Sequence, residues 1–261
     1  MRRIPLLCLI VGLLPTSGAG QATPPPRGGL VEASGFSHRV SNDFGHWSGG
    51  RLRAVLPAGR GNVFYLEGTA QRAFGDEGAY AAVAHQHSFG DSWISYVGVG
   101  GGTGKFYFPE LRLDATLTRK LLASHRLLAT IGGTWVRSKD VYRDRAVQAS
   151  LTGYLSAVVV VEAGGRVNWS TPGDVASQRA FLALTLGRAG SHYVVLRGAG
   201  GSEGYQLTGS GATAQKFNSA EASIAWRQWL GARLGFVLGG EWYDSPFYTR
   251  TGVQLGLFAS W

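Results

Sequence analysis

"AVVVVEAGGRVNWS", residues 157–170, alternates with a period of two. One face holds only apolar residues and glycine, namely Ala157, Val159, Val161, Ala163, Gly165, Val167 and Trp169. The other face holds Glu162, Arg166, Asn168 and Ser170, with Val158 and Val160 as apolar exceptions near the start. This alternation predicts a β-strand with one apolar and one polar face.

Segments 111–120, 179–188 and 232–243 repeat the pattern. Each is at least ten residues long, whereas strands of soluble domains usually have about five or six. About ten tilted residues cross a bilayer. Thirteen segments rich in glycine, proline, asparagine, aspartate or serine separate the runs along the chain. We therefore predict an all-β fold, a single-chain antiparallel transmembrane β-barrel of about 14 strands, with 12 as the alternative.

The turns predict the orientation of this barrel. If the chain starts and ends in the periplasm, the odd-numbered turns face outward. The two longest loops, 100–109 and 200–214, are then both extracellular, as in bacterial outer-membrane barrels. Phe106, Tyr107 and Phe108 follow the glycines of the first of these loops, and we expect them to form an interfacial aromatic girdle.

The glycines of "YVGVGGGTGKFYFPELRLD", residues 96–114, superficially resemble a phosphate-binding loop. A P-loop would need glycine at Val99 and a hydroxyl residue at Phe106. The aromatic run before Pro109 also disfavours the helix that must follow. We therefore expect no nucleotide here, and interpret the glycines as an outer loop.

The N-terminus predicts export. Arg2 and Arg3 precede the apolar core 6–14, and small residues follow, so we assign 1–22 to a cleaved signal peptide. Residues 23–29 form a Pro/Gly leader and 30–261 the barrel. The single cysteine, Cys8, lies in the signal, so the exported chain would have no thiol.

The last residues alternate up to an aromatic terminus. Val253, Leu255, Leu257, Ala259 and Trp261 share one face. The segment 256–261 looks like the terminal signal that the barrel-assembly machinery recognises, with Gly256, Ala259 and Trp261 as its candidate residues. The other reading is an amphipathic edge strand, which would be prone to aggregation.

Basic residues fall on the polar phase of the strands. Removing Arg2 and Arg3 lowers the formal charge from +9 to +7. The candidate lumen residues are Arg112, Arg166, Arg179, Arg227, Arg233 and Arg250, with Arg51 and Arg53 in an earlier strand. Arginines in a narrow water-filled pore would favour anions. Alternatively, they pair with Asp114, Glu162, Glu221 and Glu241 and fill the barrel. Arginines inside a barrel make nucleic acid a poor partner.

Metal and catalytic sites have weak support. His85 and His87 lie two residues apart beside a periplasmic turn, without a third ligand, so we expect no metal and no cofactor. A hydrolase needs serine, histidine and an orienting acid or amide together. No Gly-x-Ser-x-Gly elbow is present. His38, near Asn42 and Asp43 on the first outer loop, is the best catalytic candidate, and loop polarity explains it equally well.

The segment Phe-Tyr-Phe-Pro-Glu-Leu-Arg-Leu-Asp (106–114), followed by Thr118-Arg119-Lys120-Leu121, resembles the YaiO-type outer-membrane β-barrel proteins. The resemblance covers about 30–261, and 100–121 is its distinctive part. It implies an outer-membrane barrel of a Gram-negative bacterium, and some members lie near surface-polysaccharide machinery. It supplies no catalytic motif.

Together these features favour a passive channel for small polar or anionic solutes, and the resemblance adds the expectation of a link to surface saccharide export. The alternative is a closed structural or adhesive barrel that binds a partner through the loops 100–109 and 200–214. A third reading is a lipid- or glycan-modifying enzyme with serine and histidine at one rim. Expected partners are outer-membrane lipid, lipopolysaccharide and the barrel-assembly machinery.

Overall fold

The computed structural model describes residues 28–104, 107–122, 124–139, 141–205 and 215–261. The expected signal peptide (1–22) and residues 23–27 of the expected leader lie outside these ranges. Within them, no helix is long and apolar enough to cross a membrane.

Fourteen strands follow one another along the chain. They are β1 Leu30–Val40, β2 His46–Pro57, β3 Asn62–Ala73, β4 Asp76–Phe89, β5 Trp93–Gly102, β6 Leu111–Leu121, β7 Leu127–Arg137, β8 Arg143–Tyr154, β9 Val159–Thr171, β10 Val175–Arg188, β11 His192–Tyr205, β12 Gln215–Trp229, β13 Leu234–Asp244 and β14 Thr249–Ser260. Each strand has ten to fifteen residues, which is the length that alternation predicted.

The strands form one closed antiparallel barrel in which every strand pairs with its sequence neighbours and β14 pairs with β1. The closing register joins Leu30 to Ser260 and Val40 to Arg250. Closure leaves no sheet edge, so all ladder hydrogen bonds are satisfied without water, as a bilayer requires. The predicted 14-strand barrel is confirmed.

Two loops are shorter than predicted. Strand β5 continues to Gly102 and β11 to Tyr205, so the loops are 103–110 and 206–214 instead of 100–109 and 200–214. The residues by which these two strands exceed the prediction, 100–102 and 200–205, are mostly glycine. The sequence therefore shows no alternation of apolar and polar side chains there. Residues 206–214 lie outside the described ranges, as does Phe106.

The turns define the two ends of the barrel. The long-loop end carries the odd-numbered turns 41–45, 74–75, 103–110, 138–142, 172–174, 206–214 and 245–248. The short-turn end carries 58–61, 90–92, 122–126, 155–158, 189–191 and 230–233, together with Gly29 and Trp261. The described strand ends on either side of both of the longest connections lie at one end, as predicted.

Alternation sorts side chains between the two faces. Leu52, Val97, Ile131 and Leu182 are 56–60% exposed on the outer face. Polar residues of the same strands, such as Arg51 and Arg53 on β2, line the interior. A soluble sandwich would bury its apolar face, whereas this barrel presents that face outward.

Lumen-facing glycines let rings lie flat on the barrel wall. A Cβ at Gly49 would lie 2.5 Å from the ring of Phe36, and a Cβ at Gly164 would lie 2.8 Å from the ring of Phe181. The same relation holds for Gly252, where a Cβ would lie 1.7 Å from the His38 ring. Rings that lie along the wall leave space in the lumen, so these glycines help to shape the cavity.

Candidate functional site

The candidate site is the lumen, which encloses a cavity of about 570 Å³. Residues from all fourteen strands line it. A 14-stranded barrel is wider than the eight-stranded barrels whose side chains fill the interior, and narrower than the 16–18-stranded open porins.

Eight arginines line the cavity. They are Arg51, Arg53, Arg112, Arg166, Arg179, Arg197, Arg227 and Arg250. Seven of these were singled out by alternation. Arg233 was also expected in the lumen, but it is exposed in turn 230–233. Arg233 has the same phase as the cavity-lining Val237 and Glu241, but β13 begins only at Leu234, so Arg233 lies in the turn and not on the lumen wall.

Arg197 is the lining arginine that sequence reasoning missed. It follows the apolar run Val194, Val195, Leu196 on β11, which hides the period. The inward series Val195, Arg197, Ala199, all lining the cavity, is the signal that could have identified it.

Most of these arginines form ion pairs. Arg51 and Arg53 lie 3.8 and 3.7 Å from Glu67, Arg112 lies 2.6 Å from Asp114, Arg179 lies 3.3 Å from Glu221, and Arg250 lies 3.7 Å from Glu241. Arg179 also pairs with Glu203, and Arg227 with Glu32. Three of the four predicted partners, Asp114, Glu221 and Glu241, therefore pair as the space-filling alternative expected.

Arg166 and Arg197 differ from the other six. Among the described residues, neither has a carboxylate oxygen within 4 Å. Arg166 lies directly opposite Arg179 in the β9–β10 register. The Arg197 guanidinium carbon lies 4.1 Å from the centroid of the Phe181 ring. Like charges in opposed positions repel. The carboxylates that attract Arg197 (Glu162 and Glu221) and Arg166 (Asp114 and Asp144) do so from beyond contact distance.

Aromatic side chains close around the lumen at the long-loop end. The cluster comprises Val40, Trp47, Ala73, Phe74, Tyr80, Tyr107, Phe108, Phe217, Tyr243 and Tyr248, with Phe44 and Phe247 packed against it. Trp47 is fully buried, and its ring centroid lies 4.2 Å from that of Phe74. We call this set the mouth cluster. It occupies the arc from β12 through β1 to β5.

The mouth cluster corrects one expectation. Tyr107 and Phe108 are 4% and 2% exposed inside the mouth, and do not belong to an outer interfacial girdle. The Tyr107 hydroxyl donates to the carbonyl of Gln71. Burial, together with the charge of Asp76, raises the pKa of Tyr107 to about 12. Loop residues have no period, so alternation could not predict which way these rings point.

Turns 41–45 and 245–248 are tied together beneath this cluster. The Asn42 side-chain amide donates to the carbonyl of Phe247 at 2.6 Å. The Thr249 amide donates to Ser41 Oγ at 2.8 Å, and the Ser41 amide donates to the Thr249 carbonyl at 3.0 Å. These bonds fix the turns that carry Phe44 and Tyr248.

A second aromatic group lies in the lumen toward the short-turn end. It contains Leu30, Trp229, Val237 and Phe258, with Val55 and Tyr193 against it. The Arg227 guanidinium carbon lies 4.6 Å from the Phe258 ring centroid while the same group pairs with Glu32. Both aromatic groups lie mainly on the arc from β11 to β5, whereas Arg166 and Arg112 lie on the opposite wall.

The best catalytic candidate from the sequence, His38, does not lie where it was expected. His38 is not on the outer loop: it lies on β1, 6% exposed, where it pairs with Glu241. The His38 ring lies over Gly252, which is the register partner of His38 on one side and of Glu241 on the other.

Serine and histidine meet at both ends of the barrel. Ser37 Oγ lies 3.1 Å from His46 Nε2, and Ser191 Oγ lies 3.2 Å from His192 Nδ1, both exposed. Neither histidine has a carboxylate within 4 Å in the described part of the chain. A triad needs that orienting group, so these contacts do not make one.

His85 and His87 both contact Asn62 Oδ1, at 3.0 and 2.8 Å, on the outer face near the short-turn end. The two imidazole rings therefore share one side-chain amide oxygen, and ordinary hydrogen bonding accounts for both contacts. Among the described residues, no group of three histidine, aspartate or glutamate side chains could hold a metal ion.

The C-terminal residues form the closing strand. Leu255, Leu257 and Trp261 are 59–67% exposed on the outer face. A Cβ at Gly256 would lie 2.6 Å from the Cβ of Ser34, so this glycine permits close packing of β14 on β1. The Trp261 amide donates to the Gly29 carbonyl at 3.1 Å, and Ala259 is half-buried.

A closed antiparallel barrel with an apolar outer face and a polar, arginine-bearing lumen defines an outer-membrane β-barrel protein. The model of the YaiO membrane beta barrel domain matches residues 31–206, and the chain belongs to this family. No curated protein matches the sequence.

Solved outer-membrane barrels share the fold at low identity. The CymD monoaromatic hydrocarbon channel has a TM-score of 0.60 at 7% identity, over 90% of this chain and 88% of that one. A bacterial polysaccharide outer membrane secretin has 0.57 at 9%, over 89% and 98%. The COG4313 outer membrane channel from Pseudomonas putida F1 has 0.55 at 11%, over 94% and 99%. In such barrels the short-turn end faces the periplasm and the long-loop end the cell exterior.

Proposed function

We propose that this barrel is a passive channel for small anionic solutes. The observation that carries the proposal is the wall formed by Arg166 and Arg197, which lines the cavity without a carboxylate within 4 Å among the described residues. A guanidinium stays charged at any physiological pH. In a confined lumen, guanidinium groups that no carboxylate contacts directly raise the local concentration of anions and slow cations.

The other lumen arginines contribute less to selectivity. Arg112 is held by Asp114 through two bonds of 2.6 and 3.0 Å, so its charge is largely neutralised locally. Pairs of this kind line the passage with alternating dipoles and favour polar over apolar solutes.

Acidic saccharides are the solute class that fits the lining best. Guanidinium groups pair bidentately with carboxylates. The flat-lying ring of Phe181 holds the Arg197 guanidinium over its face, which keeps this cation in the cavity lining for such a carboxylate. The fold shared with a polysaccharide secretin and with two channels supports a transport role. The proposal assigns no catalytic step to the barrel.

Single-channel conductance of the refolded barrel, residues 23–261, tests the proposal. In a planar bilayer with a potassium chloride gradient, the reversal potential should show anion preference. Replacing both Arg166 and Arg197 with glutamine should abolish that preference. The matched control is Arg137→Gln with Arg145→Gln, two exposed arginines at the long-loop end, which should leave the reversal potential unchanged.

A closed barrel is the second candidate, and the mouth cluster favours it. Ten mutually packed, nearly buried side chains occupy a large arc of the mouth. If the barrel inserts, as shown by heat-modifiable gel mobility, but carries no current, then the channel proposal fails. The long-loop end would then be the surface that binds a partner.

A further inference from the structure

Charged residues are distributed unequally between the two ends of the barrel. At the short-turn end lie six cations: Arg60, Arg119, Lys120, Arg126, Arg188 and Arg233. They come from four of the six short turns or the strand ends beside them, and so surround the rim. Asp91 is the only acidic residue in this group of turns and strand ends. We call the six cations the basic rim.

The long-loop end has no such excess. Its described cations are Arg39, Arg72, Arg137, Lys139, Arg143, Arg145, Lys216 and Arg250, and its described acids are Asp43, Asp76, Glu77, Glu110, Asp144, Asp174, Glu203 and Asp244. These eight cations and eight acids balance. Several are paired: Arg137 and Lys139 with Glu110 at 3.3 and 4.0 Å, and Arg145 with Asp174 at 3.3 Å.

The basic rim is exposed and unneutralised. Five of its members are exposed, and Lys120 is half-buried. In the described chain, none of the six lies within 4 Å of a carboxylate. Repulsion among exposed like charges is not compensated within the barrel, so the compensating charge comes from outside it.

The position of Arg119 indicates where the basic rim lies relative to the bilayer. It opposes Trp93 in the β5–β6 register, and its guanidinium carbon lies 5.2 Å from the Trp93 ring centroid. Trp93 is 38% exposed on the outer face. Tryptophans of membrane proteins settle at the headgroup level of the bilayer. The cation beside it is therefore placed among lipid headgroups.

We propose that the basic rim binds the phosphate groups of anionic phospholipid in the periplasmic leaflet. A headgroup phosphate accepts charge-assisted hydrogen bonds from the planar guanidinium groups of arginine. Lipid also surrounds all positions of the rim at once. A compact protein partner would not reach cations spread around the whole circumference. The inference is independent of any solute passage.

The test compares lipid selectivity of the folded barrel in vesicles. Brominated phosphatidylglycerol or brominated phosphatidylcholine quenches lipid-facing tryptophans, and the ratio of quenching gives the relative affinity for the two lipids. The test variant is Arg119→Gln, Arg126→Gln and Arg188→Gln. The matched control is Arg72→Gln, Arg137→Gln and Arg145→Gln at the other end. Heat-modifiable mobility verifies folding of each protein.

We expect the wild-type barrel to prefer phosphatidylglycerol, and raising the salt concentration to weaken that preference. One cation near an anionic surface changes affinity by about fivefold. The triple rim variant should therefore lose at least about tenfold of the preference, while the control keeps it. Should the glutamine variant not fold, the lysine variant of the same three positions should fold and retain the preference.

Two outcomes would overturn the proposal. Equal affinity of the wild type for both lipids would do so, because the rim would then not distinguish an anionic headgroup from a zwitterionic one. An equal loss in the rim and control variants would show that only the net charge of the barrel matters.

Discussion

Phe74 carries the most informative test of how the mouth is built. Phe74 and Gly75 form the two-residue turn between β3 and β4, with φ values of 56° and 71°. Such turns normally place asparagine or glycine first, because an L side chain is strained there. The Phe74 ring is 7% exposed and packs on Trp47. Burial of the ring therefore compensates a strained backbone.

The magnitudes predict an unusual order of stability. Replacing Phe74 with alanine should cost about 3–5 kcal/mol for the lost ring, and it retains the left-handed strain of about 1–2 kcal/mol. Replacing Phe74 with glycine loses the same ring but removes the strain. It also adds a conformational-entropy cost of about 0.5–1 kcal/mol, because glycine leaves the unfolded chain more freedom. F74G should therefore be more stable than F74A by about 0.5–1 kcal/mol.

Denaturant unfolding of the barrel in lipid vesicles, followed by tryptophan fluorescence, measures this difference. The control is the same pair of substitutions at Phe64, a lipid-facing strand residue with 40% exposure. At Phe64 the glycine variant should be less stable than the alanine variant, because the extended backbone has no left-handed strain for glycine to relieve. An F74A barrel as stable as F74G, or more so, would refute the argument that ring burial offsets backbone strain.

Three further perturbations have defined outcomes. Gly252→Ala places a Cβ 1.7 Å from the His38 ring, so it should displace that ring and destabilise the barrel by about 1–3 kcal/mol, measured by denaturant unfolding. Burial raises the pKa of Tyr107 from 10.0 to about 12, so its contribution to stability is complete below pH 10 and disappears as the pH rises to 12. Tyr107→Phe should remove that dependence from unfolding curves taken across the window. Arg179→Met leaves Glu203, 2% exposed, without its cation and should cost about 3–5 kcal/mol, with part of the loss recovered when Glu203→Gln is added.

Each of these has a control or a contrary result. Gly68→Ala has open space around its Cβ and should be nearly neutral beside Gly252→Ala. A Tyr107→Phe barrel that loses stability between pH 10 and 12 as the wild type does would assign the transition to other groups. Full stability of the Arg179→Met single variant would show that Glu203 is neutral in the folded barrel.

Much of the architecture could be predicted from alternation. A membrane barrel must present an apolar face to lipid along every strand, so the pattern persists for ten or more residues and is readable without neighbours. Segment 157–170 shows this directly, and polar turn residues mark where each run stops. Five of the six predicted strand-phase arginines, Arg112 and Arg166 among them, accordingly line the lumen.

The sequence by itself determined the strand pattern, the number of strands and which face of each strand is polar, because these are local consequences of period two. Only the tertiary structure decided which charges neutralise one another. Arg227 pairs with Glu32, 195 residues away, because closure brings β12 near β1 across β13 and β14. The inward turn of Tyr107 and the exposure of Arg233 were likewise decided by packing, since loops have no period. The unpaired state of Arg166 and Arg197 depends on distances across strands, which no local pattern encodes.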